Sequence, residues 1–333
     1  GSGHRGGVQI AGALRMAACC RKFGIVLLAA LAWPLRYVFC PPKVHEVVGK
    51  CALVTGASSG TGVYIAERLA AEGVVKLIIA ARSKDKLDAV SRNISHRHPA
   101  TQVLAVKADV SNGEDIAALV EAATRHFGSG CPTILINNAG IMPIRHVESF
   151  SFADADRIMN INYSGLLHLT LAMLPYMYTA SGHIVNVASV AGKMSLNGMS
   201  VYSATKHAIV GFSGALRLEL AYRGLPVTVH RVMPGIILDV GVAIDRSRET
   251  GADMAVAVNT IGACYPADVA DAVVRAVQYD EPEVMVNTPP IMWLVSVVLS
   301  AFPRLYDLWP LVPTDWAKGP LLWMHALAEG AVP

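Results

Sequence analysis

No acidic residue precedes Glu46. The net charge is only +3 over 333 residues, so the basic footprint of a nucleic-acid binder is missing and no such partner is expected. The six cysteines, Cys19, Cys20, Cys40, Cys51, Cys131 and Cys264, show neither metal-ligand spacing nor a disulfide framework. No metal site is therefore expected, and the thiols of the chain's body are expected to be reduced. There is no internal repeat and no low-complexity stretch. What the chain has in excess is apolar surface: 53% of residues are hydrophobic and the mean hydropathy is +0.43. A soluble enzyme is usually more polar, and the length allows one large domain or two small ones.

Much of the excess sits at the two ends. The chain opens on Gly1-Ser2-Gly3 without a methionine, which reads as a processed end or an added segment. Residues 8–20 are moderately apolar, and an apolar run follows from Ile25 to Phe39, broken by Pro34 and Arg36. A spanning helix needs about 20 apolar residues, so this run is marginal. Trp33, Arg36 and Tyr37 look like an interfacial end. Three readings stand: a signal anchor or monotopic helix, a cleaved signal peptide, and a targeting peptide. Cys19-Cys20 beside Arg21-Lys22 is either an acylation site or two ordinary cysteines. The tail carries a second run, residues 291–302, followed by Trp309, Trp316 and Trp323 among prolines. It reads as an interfacial helix or as a cover over a pocket or subunit contact. The expected organisation is an anchor or targeting segment over 1–45, a catalytic domain over 46–288 and an apolar tail over 289–333.

Between the ends, short runs rich in Val and Ile alternate with longer helical segments. The runs are 51–55, 77–81, 103–108, 134–137, 183–188, 227–233 and 284–287. Nearly unbroken apolar strands separated by helices predict a parallel sheet buried on both faces. The expected fold is α/β, a single doubly wound Rossmann-type domain of about seven strands.

The first strand runs into Thr55-Gly56-Ala57-Ser58-Ser59-Gly60-Thr61-Gly62, with a helix expected from Val63. Glycines there let backbone N–H groups approach a pyrophosphate at a helix N-terminus. An NAD-binding sheet carries an acidic residue about 20 positions further on. Here the second strand ends Ala81-Arg82-Ser83. A guanidinium in place of a carboxylate favours a ribose 2′-phosphate; the alternative is a solvated arginine in a polar turn. Asp109-Val110 closes the third strand, where a carboxylate can meet an adenine amino group or cap the next turn. His96-Arg97-His98-Pro99 falls in a polar turn and is read as a solvated loop. Asn137-Asn138-Ala139-Gly140 ends the fourth strand with small residues that allow a cofactor close. A helix over 153–178 carries Asn162, which either satisfies a helix bend or holds a water in a proton relay.

The proton chemistry is expected from Ser189, Tyr202 and Lys206. Tyr202 and Lys206 lie four apart, on one face if the segment is helical. A tyrosine of pKa near ~10 is a poor base at neutral pH; a neighbouring ammonium is expected to lower that value. Ser189, at a strand end thirteen residues before Tyr202, can hold a substrate oxygen while Tyr202 gives or takes its proton.

Taken in order and spacing, Thr55–Gly62, Asp109, Asn137–Gly140, Asn162, Ser189, Tyr202, Lys206 and Pro234-Gly235 resemble the classical short-chain dehydrogenases/reductases over roughly residues 49–287. The resemblance implies one Rossmann domain and a nicotinamide dinucleotide. It implies Tyr202 as general acid/base, Ser189 orienting the substrate oxygen, Lys206 on Tyr202 and on the nicotinamide ribose, and Asn162 on a relay water. The cofactor would touch Gly56, Ser58, Ser59, Gly60, Thr61, Gly62, Arg82, Ser83, Asp109, Val110, Asn138, Ala139, Gly140, Tyr202, Lys206, Pro234, Gly235 and Ile237. The Ala81-Arg82 pair is similar to the family's NADP(H)-preferring form. The apolar ends resemble the membrane-associated members that act on hydroxysteroids or retinol.

Two positions depart from the family. Thr61 replaces an isoleucine, with little effect expected. Asp239 stands where a threonine is usual, and a carboxylate near a pyrophosphate would repel it. The expected activity is NADP(H)-dependent interconversion of a lipophilic ketone and a secondary alcohol, in a membrane-associated homodimer, at the endoplasmic reticulum if eukaryotic. The alternatives are a broad carbonyl reductase and a non-catalytic nucleotide-binding protein.

Overall fold

The strands are apolar on both faces because both faces are covered. In the computed structural model, which describes residues 44–178, 181–195, 198–238 and 263–287, seven parallel strands form one sheet. They are β1 (Cys51–Thr55), β2 (Lys76–Ala81), β3 (Gln102–Lys107), β4 (Ile134–Asn137), β5 (Gly182–Val187), β6 (Val227–Pro234) and β9 (Glu283–Val286), in the order β3-β2-β1-β4-β5-β6-β9. A separate parallel pair, β7 (Ile236–Ile237) with β8 (Ala263–Cys264), was not expected from the sequence. The fold is the doubly wound α/β class.

Side-chain alternation sends successive residues to opposite faces. Leu53, Ile78, Leu135 and Ile184 face one way, against α3 (Gly113–Phe127), α5 (Gly165–Met177) and α6 (Ser200–Tyr222). Ala52, Val54, Leu77, Ile79 and Ile136 face the other, against α1 (Thr61–Ala71), α2 (Lys84–Arg97) and α7 (Pro266–Gln278). Leu53, Ile78 and Leu135 are wholly buried, and each contributes about 1.5–3 kcal/mol of transfer free energy. Strand order reverses between β1 and β4, and ligands of such sheets bind outside the carboxyl ends at that point.

Three expectations need correction. The helix predicted over 153–178 is interrupted. α4 (Phe152–Met159) leads into a π-helical turn, Asn160–Ser164, and α5 follows. The chain passes so close to the end of β3 here that a Cβ on Gly165 would lie 2.4 Å from the Val110 carbonyl oxygen. The helix after the glycine loop opens at Thr61 rather than Val63, and strand ends move by a residue. Third, Cys51 and Cys131 are paired as a disulfide with Cα atoms 5.5 Å apart, where reduced thiols were expected. The topology brings together two cysteines 80 residues apart in sequence, which spacing did not reveal.

The expected segment over 1–45, save residues 44 and 45, the expected tail over 289–333, and Asp239 lie outside the described residues. Among the described residues no helix is long and apolar enough to cross a membrane.

Candidate active site

A cavity of about 690 Å³ opens along the carboxyl ends of the strands. It lies within the roughly 300–1,000 Å³ usual for ligand sites. One side begins at the turn after β1. Gly56 takes a φ of 68° there, which a side chain rarely adopts. A Cβ on Gly62 would come within 2.2 Å of the Gly56 carbonyl oxygen, so the loop closes onto α1 only with glycine there. Thr55, not expected among the site residues, fastens this turn to β4. Its hydroxyl accepts from the Asn138 and Ala139 amides at 3.0 and 3.1 Å, and its carbonyl accepts from Asn138 Nδ2 at 2.9 Å.

Of the residues expected to touch a cofactor, Gly56, Ser58, Ser59, Gly60, Thr61, Arg82, Ser83, Asp109, Val110, Asn138, Ala139 and Gly140 line the cavity. Gly62 lies behind the loop instead, as a packing position. Arg82 is exposed at the rim, and Lys86, in the first turn of α2, lines the cavity near it. Lys86 was readable as part of the polar turn but was not singled out. Burial works to raise the Asp109 carboxyl. The Ser111 hydroxyl and amide, at 2.7 and 2.9 Å, and the charges of Arg82 and Arg157 overcome it and hold the carboxyl below its usual range.

The other end of the cavity gathers Ser189, Tyr202, Lys206, Pro234, Gly235 and Ile237. Ser189 follows β5 and Tyr202 sits in the first turn of α6. The short turn Val190–Gly192 packs on α6, and a Cβ on Gly192 would lie 2.7 Å from the Lys206 carbonyl oxygen. The Ser189 hydroxyl and the Tyr202 phenol both line the cavity there. Ser189 Oγ also accepts from the Ala191 amide at 3.2 Å and donates to the Pro234 carbonyl at 3.3 Å.

Lys206 Nζ donates to the Val187 carbonyl at 3.0 Å and lies 5.5 Å from the centroid of the Tyr202 ring. Burial pushes Lys206 down to about 8. Burial pushes Tyr202 up to about 12, which the bond with Ser189 only partly offsets. The direction is opposite to the one expected for Tyr202, because burial disfavours the phenolate.

Asn162 is 1% exposed and does not line the cavity. It holds the wall from behind: Oδ1 accepts from the Ile141 amide at 2.8 Å and Nδ2 donates to the Ile141 carbonyl at 2.9 Å. Ile141, Met142, Ile144 and Met199 complete the apolar wall near Tyr202 and were missed. The available signal was a cluster of large apolar side chains in loops, directly after Gly140 and before the Tyr202 helix. Among the described residues no cluster of His, Cys, Asp and Glu could hold a metal.

These features define a doubly wound α/β domain with a buried serine, tyrosine and lysine along its cleft. The family model described as short chain dehydrogenase matches residues 50–251. A ketoacyl reductase of Nostoc sp. is 36% identical over 256 residues, covering 77% of this chain and 84% of that protein. An 11-beta-hydroxysteroid dehydrogenase-like protein of Arabidopsis thaliana is 37% identical over 205 residues, 61% of this chain and 64% of its own length. A short chain dehydrogenase/reductase from Burkholderia phymatum, solved in complex with NAD, superposes with a TM-score of 0.67 at 28% identity, over 79% of this chain and 96% of that one. The chain belongs to the short-chain dehydrogenase/reductase family of oxidoreductases.

Proposed function

We propose that the protein is an NADP(H)-dependent oxidoreductase that interconverts a lipophilic ketone and a secondary alcohol. The observation that carries the reading is the convergence of Ser189, Tyr202 and Lys206 on the apolar end of a cleft whose other end presents Arg82. The glycine turn, the N-terminus of α1 and Asn138–Gly140 would hold the dinucleotide's phosphates and riboses. Asp109 and Val110 would flank the adenine, Arg82, Ser83 and Lys86 the 2′-phosphate, and Pro234, Gly235 and Ile237 the nicotinamide. That group supplies or accepts the hydride when bound.

The protein's part is the proton. With its pKa pushed up to about 12, Tyr202 carries its proton at neutral pH. It is ready to donate to a carbonyl oxygen that Ser189 steadies, the arrangement a reductase needs. Lys206 stands beside it to take the ribose hydroxyls, and Asn162 supports the relay. The apolar wall of Ile141, Met142, Ile144 and Met199 favours an apolar substrate body. A ketoacyl reductase among the relatives supports ketone reduction.

The test is NADPH consumption with a panel of steroid, retinoid, acyl and small xenobiotic ketones. Turnover confined to apolar ketones is expected. Equal turnover of small polar carbonyls would favour the broad reductase, and no turnover at all the non-catalytic reading. Membrane association at the endoplasmic reticulum and a homodimer belong to the same proposal. The first rests on the apolar runs 25–39 and 291–302. Sedimentation with membranes through a salt wash, and a dimer by light scattering in detergent, are the expected results.

A further inference from the structure

The helix of Tyr202 is tied to the turn of Asn162 by one hydroxyl. Thr205 is wholly buried, at 0% exposure, and no part of it lines the cavity. Its Oγ1 accepts from Asn162 Nδ2 at 3.1 Å and donates to the Tyr202 carbonyl at 2.7 Å. The amide of Asn162 is thereby shared between two elements. On one side it holds both backbone polar groups of Ile141, at 2.8 and 2.9 Å, in the loop that carries the apolar wall. On the other it reaches, through Thr205, the first turn of α6. The π-helical turn Asn160–Ser164 is where Asn162 projects into this position.

Resting on the functional reading above, we propose that Thr205 is a positioning residue. Its hydroxyl clamps Asn162 to the Tyr202 turn and so keeps the phenol in register with the loop that carries the substrate wall. Three things follow from the bonding. A threonine can serve because its hydroxyl accepts and donates at once. A valine of the same shape leaves the packing but removes both bonds. A serine keeps both. A buried donor that loses its partner is costly, so the Asn162 amide should shift rather than stay unpaired, and the turn should loosen with it.

The experiment compares Thr205→Val, Thr205→Ser, Asn162→Ala and the double variant Asn162→Ala/Thr205→Val, in the full chain. Amide hydrogen exchange is one readout and steady-state kinetics the other. For Thr205→Val the proposal expects exchange at residues 141 and 160–164 to quicken about tenfold or more, while β2 and β3 stay as in the parent. It expects kcat to fall about tenfold, with NADPH binding unchanged, and Thr205→Ser to restore both. In the Asn162→Ala background, Thr205→Val should cost nothing further, because the two residues act as one unit. Unchanged exchange at 160–164 overturns the clamp. So does equal loss in Thr205→Ser, which would make the role one of packing, and so does full additivity in the double variant. If exchange responds as expected but the parent consumes NADPH with no carbonyl, the clamp stands and the catalytic reading fails.

Discussion

The two ends of the sheet bury ionisable groups in opposite ways. At the carboxyl ends, Tyr202 and Lys206 are buried beside an open cavity. Toward the amino end of β5 and in the first half of β6, His183 and His230 are buried against each other. Their Nδ1 and Nε2 atoms lie 3.2 Å apart, Thr228 Oγ1 is 2.9 Å from both, and the Glu281 carbonyl accepts from His230 Nδ1 at 2.8 Å. Burial dominates at both ends, pushing His183 down to about 3 and His230 down to about 4. A perturbed pKa therefore does not mark a site by itself. The histidines are held by one another, by Thr228 and by the Glu281 carbonyl, and neither lines the cavity. Ser189 and Tyr202 line the cavity, where a substrate oxygen can reach their hydroxyls.

The comparison is broken most sharply by Tyr202→Phe. Only the proton donor is lost, and a positioned acid contributes about 10²–10⁴-fold. Turnover should fall below a few per cent of the parent while NADPH titration gives an unchanged affinity. A correctly folded variant with substantial activity would remove Tyr202 from the chemistry.

At the opposite end the same kind of change should touch stability alone. Removing one ring of the histidine pair in His183→Ala opens a buried network and is expected to cost about 2 kcal/mol in urea denaturation. kcat per folded molecule should stay unchanged. A fall in kcat at constant cofactor affinity would mean that the two ends of the sheet are coupled.

Acid separates the ends as well. Both histidines have folded pKa values below the unfolded value of about 6.5. Below pH 6.5 the unfolded chain binds protons that the folded chain refuses, so stability falls with pH until the folded values, about 3 and about 4, are reached. His45, Lys50 and Arg217 oppose protonation, and Asp280 favours it at His230. Each histidine should cost at most about 1.4 kcal/mol per pH unit, about 2 kcal/mol at pH 5. Urea midpoints measured from pH 7 to pH 5 should fall in the parent and flatten in His183→Gln/His230→Gln. Equal slopes would place the acid sensitivity elsewhere.

Residues whose type announces their chemistry in a local pattern were legible in the sequence. Alternating apolar runs gave the seven strands, and the glycine turn, Ser189, Tyr202 and Lys206 could be picked out as candidates; Gly56, Ser58, Ser59, Gly60, Thr61, Ser189, Tyr202 and Lys206 line one cleft. What was not legible depends on contacts between distant segments. The π-helical turn adjoins the place where Gly165 passes close to Val110, and Thr55 matters because β4 lies beside β1. Thr205 is only the fourth letter of Tyr-Ser-Ala-Thr-Lys until Asn162 is seen to reach it. The direction of the Tyr202 shift depended on burial, which a motif does not carry.

The smallest expected effect tests the exposed rim, where neither kind of burial operates. Arg82 stands at the mouth of the cavity with Lys86 beside it, and its charge helps to hold Asp109 ionised. A guanidinium can give two charge-assisted hydrogen bonds to a 2′-phosphate, about 1.5–3 kcal/mol each in favourable settings. Exposure to water lowers that value, and Lys86 remains to share the phosphate after Arg82 is removed. Arg82→Ala should therefore reduce the preference for NADP(H) over NAD(H) about tenfold, or 1.4 kcal/mol, rather than abolish binding. NAD(H) has no 2′-phosphate to lose, so its affinity should change little. Adding Lys86→Ala should remove most of the preference that is left. The check is fluorescence titration of NADPH and NADH against the parent, Arg82→Ala and the double variant, at two salt concentrations, because an exposed charge pair weakens as salt rises. A parent that prefers NADH, or a ratio unmoved by either substitution, would show that this rim does not select the cofactor.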